Sequence, residues 1–91
     1  MPVRVARFSV LIKPAVQKEL DNPDDALFAR IDRKILCLTD QPRPAGCKKL
    51  KGHPDLWRIR IGDYRVVYAV NDALRTVEIL RVAHRREVYE R

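Results

Sequence analysis

From Leu56 to Tyr68 the chain alternates apolar and polar residues with a period of two, the period of a strand. Trp57, Ile59 and Ile61 point one way, Arg58 and Arg60 the other. Gly62-Asp63 then reads as a two-residue turn of type II′, which takes glycine first. That turn predicts the register of a hairpin: Ile61 opposite Tyr64, Arg60 opposite Arg65, Ile59 opposite Val66 and Trp57 opposite Tyr68. All apolar residues of the pair then share one face. The other face carries two like charges directly across the ladder, an arrangement that destabilises a sheet unless an anion sits between them.

The first half shows the same two periods. Val3 and Val5 alternate, and Phe8, Val10 and Ile12 alternate in the other phase. This predicts a strand over 3–12 with an irregularity at Ala6-Arg7. Lys13-Pro14 ends it, and Pro14 suits the first turn of a short helix running to about Leu20. DNPDD opens a second helix: Asn22 can cap, Pro23 fits the first position, and Asp24 and Asp25 suit the positive end of the dipole. Phe28, Ile31, Ile35 and Leu38 then recur at three and four, a stripe for packing on a sheet, with the end near Thr39-Asp40.

PRPAGCKKLKGHPDL has three prolines and two glycines and reads as a long loop. After the hairpin, NDALR makes a turn. TVEILRVA is a strand apolar on both faces near its middle, hence a central one, and HRREVYER closes the chain as a short tail. The order β-α-α-β-β-β predicts an α+β fold, one domain over residues 1–91, with two N-terminal helices packed on a mostly antiparallel twisted sheet. The helices should cover the Trp57, Ile59, Val66 and Tyr68 face and leave the arginine face open.

Composition narrows the class. A chain of 91 residues with 46% hydrophobic content can bury one core without staples. No apolar run is long enough to span a membrane. MPVRVARF lacks the continuous apolar stretch of a signal peptide, so the cytoplasm is the expected location. Cys37 and Cys47, without CxxC spacing, read as reduced thiols. The net charge of +7, from 19 basic and 12 acidic residues, favours a polyanionic partner. Acidic residues gather in the first half, whereas Lys48, Lys49, Lys51, Arg58, Arg60 and Arg65 crowd the segment between Cys47 and Val67. Arg81, Arg85 and Arg86 follow.

Guanidinium groups on a sheet suit phosphate, to which the planar fork donates two parallel hydrogen bonds. His84 is the one residue of this region of a type whose unperturbed pKa lies near neutrality. Tyr89 offers a hydroxyl or a stacking ring. Such a set can cleave RNA without a metal or cofactor: a base takes the proton of the attacking 2′-OH while arginines hold the developing charge. His53, beside Pro54, is a weaker candidate. The chain has no P-loop, GxGxxG, GxSxG or HExxH pattern.

The hairpin basic-I-basic-x-G-D-Y-R-V-x-Y and the ending H-R-R-x-V-Y resemble the RelE/ParE superfamily of toxins, and more closely the RelE-type mRNA interferases of type II toxin–antitoxin modules. The resemblance covers nearly the whole chain. It implies the β-α-α-β-β-β domain, ribosome-dependent cleavage of mRNA in the A site without a cofactor, and neutralisation by a bound antitoxin, RelB-like or other. It further implies a catalytic set of Arg65, Tyr89, His84 and Arg85. Arg58 and Arg60 match a basic pair that holds RNA; Arg81, Lys48, Lys49 and Lys51 are further phosphate-binding candidates by their charge and position alone. Some members carry lysines at the positions of Arg58 and Arg60, and arginine is a poor proton acceptor, which leaves Tyr89 or His84 to serve the 2′-OH. The same resemblance implies partners in the 70S ribosome with mRNA and, for a toxin–antitoxin complex, operator DNA. A ParE-like inhibitor of DNA gyrase and an inactive homologue that binds nucleic acid or antitoxin are the competing expectations.

Overall fold

Residues 7–20 and 25–84 are described by the structure, a computed structural model. The caps expected at Asn22, Pro23 and Asp24, the start of the first strand at 3–6, and the tail from Arg85 onward lie outside the described residues. The order is β1 (Ser9–Ile12), α1 (Pro14–Leu20), α2 (Asp25–Cys37), β2 (Lys48–Lys49), β3 (Leu56–Ile61), β4 (Tyr64–Asn71) and β5 (Thr76–His84). The strands form one five-stranded sheet in the order β1-β5-β4-β3-β2. β1 runs parallel to β5, and every other pairing is antiparallel.

The α+β architecture is as expected, and so is the hairpin. All four predicted pairs stand in register, from Ile61–Tyr64 to Trp57–Tyr68. Gly62 turns the chain at φ 60°, a value that suits the first position of a II′ turn. β5 is interior, as its two apolar faces required. Its register with β4 shifts between Val67 and Tyr68, so that Val67 faces Arg81 and Tyr68 faces Ile79. The turn before β5 is held by Asn71, whose Oδ1 accepts the Leu74 N–H at 2.9 Å, and by Arg75 in the left-handed region.

One expectation fails. The Pro- and Gly-rich segment contains a strand: Lys48 and Lys49 pair with Arg58 and Trp57 and make the fifth strand at the sheet edge. Two basic residues carry no alternation from which a strand could be read. The second helix also stops earlier, at Cys37, and the chain turns through 38–40.

The core lies between the helices and one face of the sheet. Ile31, Ile35 and Leu38 of the predicted stripe are fully buried, while Phe28 packs at the margin. Val16 and Leu20 of α1 join them over Ile59, Ile61, Val66, Tyr68, Val70, Val77, Ile79 and Val82. No described helix is long and apolar enough to cross a membrane.

Candidate functional site

Residues directly opposite one another in a ladder share a face. The register therefore places Lys48, Arg58, Val67 and Arg81 in one row across four strands, on the face opposite the helices. Arg60, Arg65 and Ala83 form the next row. The sheet thus brings together five of the predicted basic residues: Lys48, Arg58, Arg60, Arg65 and Arg81.

Their exposure corrects the expectation of an open arginine face. Arg60 is exposed and Arg58 half-buried, but Arg65 is only 2% exposed, the one charged side chain buried among the described residues. Alternation along a strand tells which face a residue takes and says nothing of how deeply it sits. Arg65 lies on β4, which has a strand on each side. Removing a guanidinium from water costs several kcal/mol before its interactions are counted. Its confinement fixes the group in place.

Arg81 is turned toward α1. Its Nε donates to Glu19 Oε2 at 2.6 Å, and Glu19 Oε1 accepts the Val82 N–H at 2.7 Å. One carboxylate thus neutralises the arginine and satisfies the β5 backbone beyond the end of β1. Sequence reasoning missed Glu19, since nothing local links it to a residue so far along the chain.

The other predicted residues are dispersed. Lys49 faces Trp57 on the helix side of the sheet, its Nζ 6.0 Å from the ring centroid. Lys51 is exposed in the turn between β2 and β3. His84 pairs with Tyr64, so it points to the helix side, away from Arg65. The two rings meet edge to face at 5.7 Å, beside a cavity of about 400 Å³ lined also by Leu27, Arg30 and Asp63. The structure therefore does not join His84 to the arginine rows. Arg85 and Tyr89 lie outside the described residues.

A second polar cluster braces the β2 end. Arg43 forms a two-pronged ion pair with Asp72, at 2.7 and 3.2 Å, and stacks its guanidinium 5.2 Å from the Trp57 centroid. The hydrogen bond from Arg43 holds the Asp72 carboxyl below its ordinary range. Tyr68, fully buried, donates its hydroxyl to the Pro42 carbonyl at 2.8 Å, and burial pushes its pKa well above 10. Trp57 Nε1 is buried with no acceptor among the described residues.

Comparison with known proteins agrees with the fold. The family model described as the ParE toxin of the type II toxin–antitoxin system, parDE, matches residues 10–89. Toxin RelE3 of Methanocaldococcus jannaschii is 42% identical over 43 residues, 47% of each chain, so the match spans about half of that relative. Putative toxin RelE1 of the same archaeon is 30% identical over 87 residues, 92% of this chain and 97% of that one. A chain of the archaeal RelE–RelB complex from Pyrococcus horikoshii superposes with a TM-score of 0.78 at 34% identity, covering 86% of this chain and 94% of that one. A chain of the RelBE2 toxin–antitoxin complex from Mycobacterium tuberculosis gives 0.75 at 26% identity, covering 87% and 99%. With its fold and nearly its whole length matched in this way, the chain belongs to the ParE toxin family of type II toxin–antitoxin systems, within the RelE/ParE toxin superfamily.

Proposed function

We propose that the protein is a ribosome-dependent endoribonuclease that cuts mRNA in the A site. The observation that carries this reading is the pair of cationic rows, with Arg65 buried in the second. An anion stabiliser works best when its donors are fixed before charge develops. In the reaction, the 2′-oxygen attacks the adjacent phosphorus and the bond to the 5′-oxygen breaks. The products are a 2′,3′-cyclic phosphate and a free 5′-hydroxyl. Arg58 holds the extra negative charge of the five-coordinate phosphorus, the buried Arg65 adds its positive field from behind, and Arg60 and Lys48 bind flanking phosphates. His84 faces the helix side, so the proton of the 2′-OH falls to Tyr89, while Arg85 donates a hydrogen bond to the leaving 5′-oxygen, which takes its proton from water. An antitoxin, as in the RelE–RelB complexes, would silence the protein, and the pair would bind operator DNA.

Toeprinting on programmed ribosomes tests this. Wild type should give a new A-site mRNA end that Arg65→Met and Tyr89→Phe lose or slow by about 10²-fold, the scale on which positioned acid–base and charge-stabilising groups act. A folded, antitoxin-free protein that leaves the mRNA intact refutes the reading. The match of residues 10–89 to the ParE model favours a second one, inhibition of DNA gyrase. Gyrase-dependent DNA breaks with intact mRNA would select it.

A further inference from the structure

The arginine face continues around an unpaired strand edge into a cavity that none of the foregoing uses. β2 pairs only with Trp57 and Arg58, so beyond them the outer edge of β3, from Ile59 to Ile61, is uncovered by any described strand. Beside it lies a cavity of about 210 Å³ between β3, the last turns of α2 and the segment before β2. Ile59, Pro44 and Ala45 give it apolar walls. Lys34 and Arg60 line it too, one from the helix and one from the strand. Neither has an ion-pair partner among the described residues, whereas Lys13, Arg43 and Arg81 do.

Arg60 thus belongs to two surfaces. By register it shares the face of Arg58 and Arg65, and the residue also borders the cavity at the β3 edge. Two cations facing one space repel each other unless an anion lies between them. The volume is below the ~300–1,000 Å³ of pockets that engulf a drug-sized ligand, so it takes one nucleotide unit and not a folded segment. Apolar walls with cations at the rim suit a sugar or base carrying a phosphate.

We propose that this cavity is a subsite for the single-stranded RNA, holding one nucleotide next to those on the arginine face. Lys34 and Arg60 bind its phosphate as the strand rounds the β3 edge. The inference rests on the ribonuclease reading and adds Lys34 to the substrate-binding residues. Cys37 provides a reporter, since it lines the cavity and is exposed.

The test uses the full chain and a 2′-O-methyl hexanucleotide, which has no 2′-OH to attack and stays intact. Fluorescence anisotropy measures binding over a range of salt. Alkylation of Cys37, followed by peptide mass spectrometry that separates it from Cys47, reports occupancy. Lys34→Gln should weaken binding and lower the slope of log K against log salt by about 0.7, the value of one lost phosphate contact on a single strand. The oligonucleotide should slow alkylation of Cys37 several-fold. If Lys34→Gln binds like wild type and Cys37 stays reactive while Arg58→Gln weakens binding, the cavity is refuted and the arginine face stands. Protection by a polyglutamate peptide but not by RNA overturns the inference in favour of an acidic protein segment. A wild type that binds no oligonucleotide also overturns it, and toeprinting then judges the ribonuclease reading separately.

Discussion

Replacing Tyr68 by phenylalanine tests the packing beneath the site and should do so with a change of sign. The ring is fully buried and its hydroxyl donates to the Pro42 carbonyl at 2.8 Å. Phenylalanine fills the same space, so the loss is one hydrogen bond, about 1 kcal/mol near neutral pH. For a domain of this size that lowers Tm by roughly 4–8 °C. Alkaline pH adds a second effect. Burial, with Cys47 beside the phenol, raises the pKa of Tyr68 from 10.0, so the folded protein holds this proton more tightly than the unfolded chain does. Its contribution is complete below the unfolded value and is lost as pH rises toward the raised folded one. Over that window the wild type forfeits about 1.4 kcal/mol per pH unit through this group, and the phenylalanine variant forfeits none. Urea melts from about pH 8 to 11 should show the variant less stable at first and level with wild type or above it near the top of the range. All other groups are common to both proteins and cancel in the difference. A gap that stays constant with pH would refute the assignment of a raised phenol.

Two further outcomes are expected. Glu19→Ala leaves the buried Val82 backbone without its acceptor and releases Arg81, and should cost about 1–3 kcal/mol in denaturant unfolding, with Glu19→Gln recovering part. The Asp72 carboxyl, held down by its hydrogen bond from Arg43, should titrate below 3.8 by NMR and return upward in Arg43→Met. Its contribution to stability is present above the unfolded value and is lost as pH falls through the depressed folded one.

The hairpin was legible because two independent signals agree. The II′ turn at Gly62-Asp63 fixes register, and the alternation fixes faces. The α2 stripe was legible for the same reason of period: Ile31, Ile35 and Leu38 repeat as a buried face must. β2 was hidden because two lysines between prolines and glycines carry no period, and without it the row joining Lys48 to Arg58 has no beginning. The depth of Arg65, the capture of Arg81 by Glu19, the meeting of Arg43 with Asp72 and the sharing of a cavity by Lys34 and Arg60 all join residues remote in sequence. Local patterns carry no trace of such pairs. His84 shows another limit: the pattern put it in the tail, whereas it is the last residue of β5, and its face is known only from Tyr64 lying opposite it.

The parallel pairing of β1 with β5 joins the beginning of the described chain to its end. A ribosome releases the N-terminal segment first, so β1 emerges long before the strand it needs. The hairpins β3-β4 and β4-β5 close short loops and can form locally, whereas β1 must wait and then close nearly the whole chain as one loop. Until then Leu11 and Ile12, half exposed even in the finished sheet, are bare on an unpaired strand. The fold is therefore finished only when synthesis of β5 is complete. The basic rows, which depend on β3, β4 and β5 lying side by side, acquire their final shape at that same late moment.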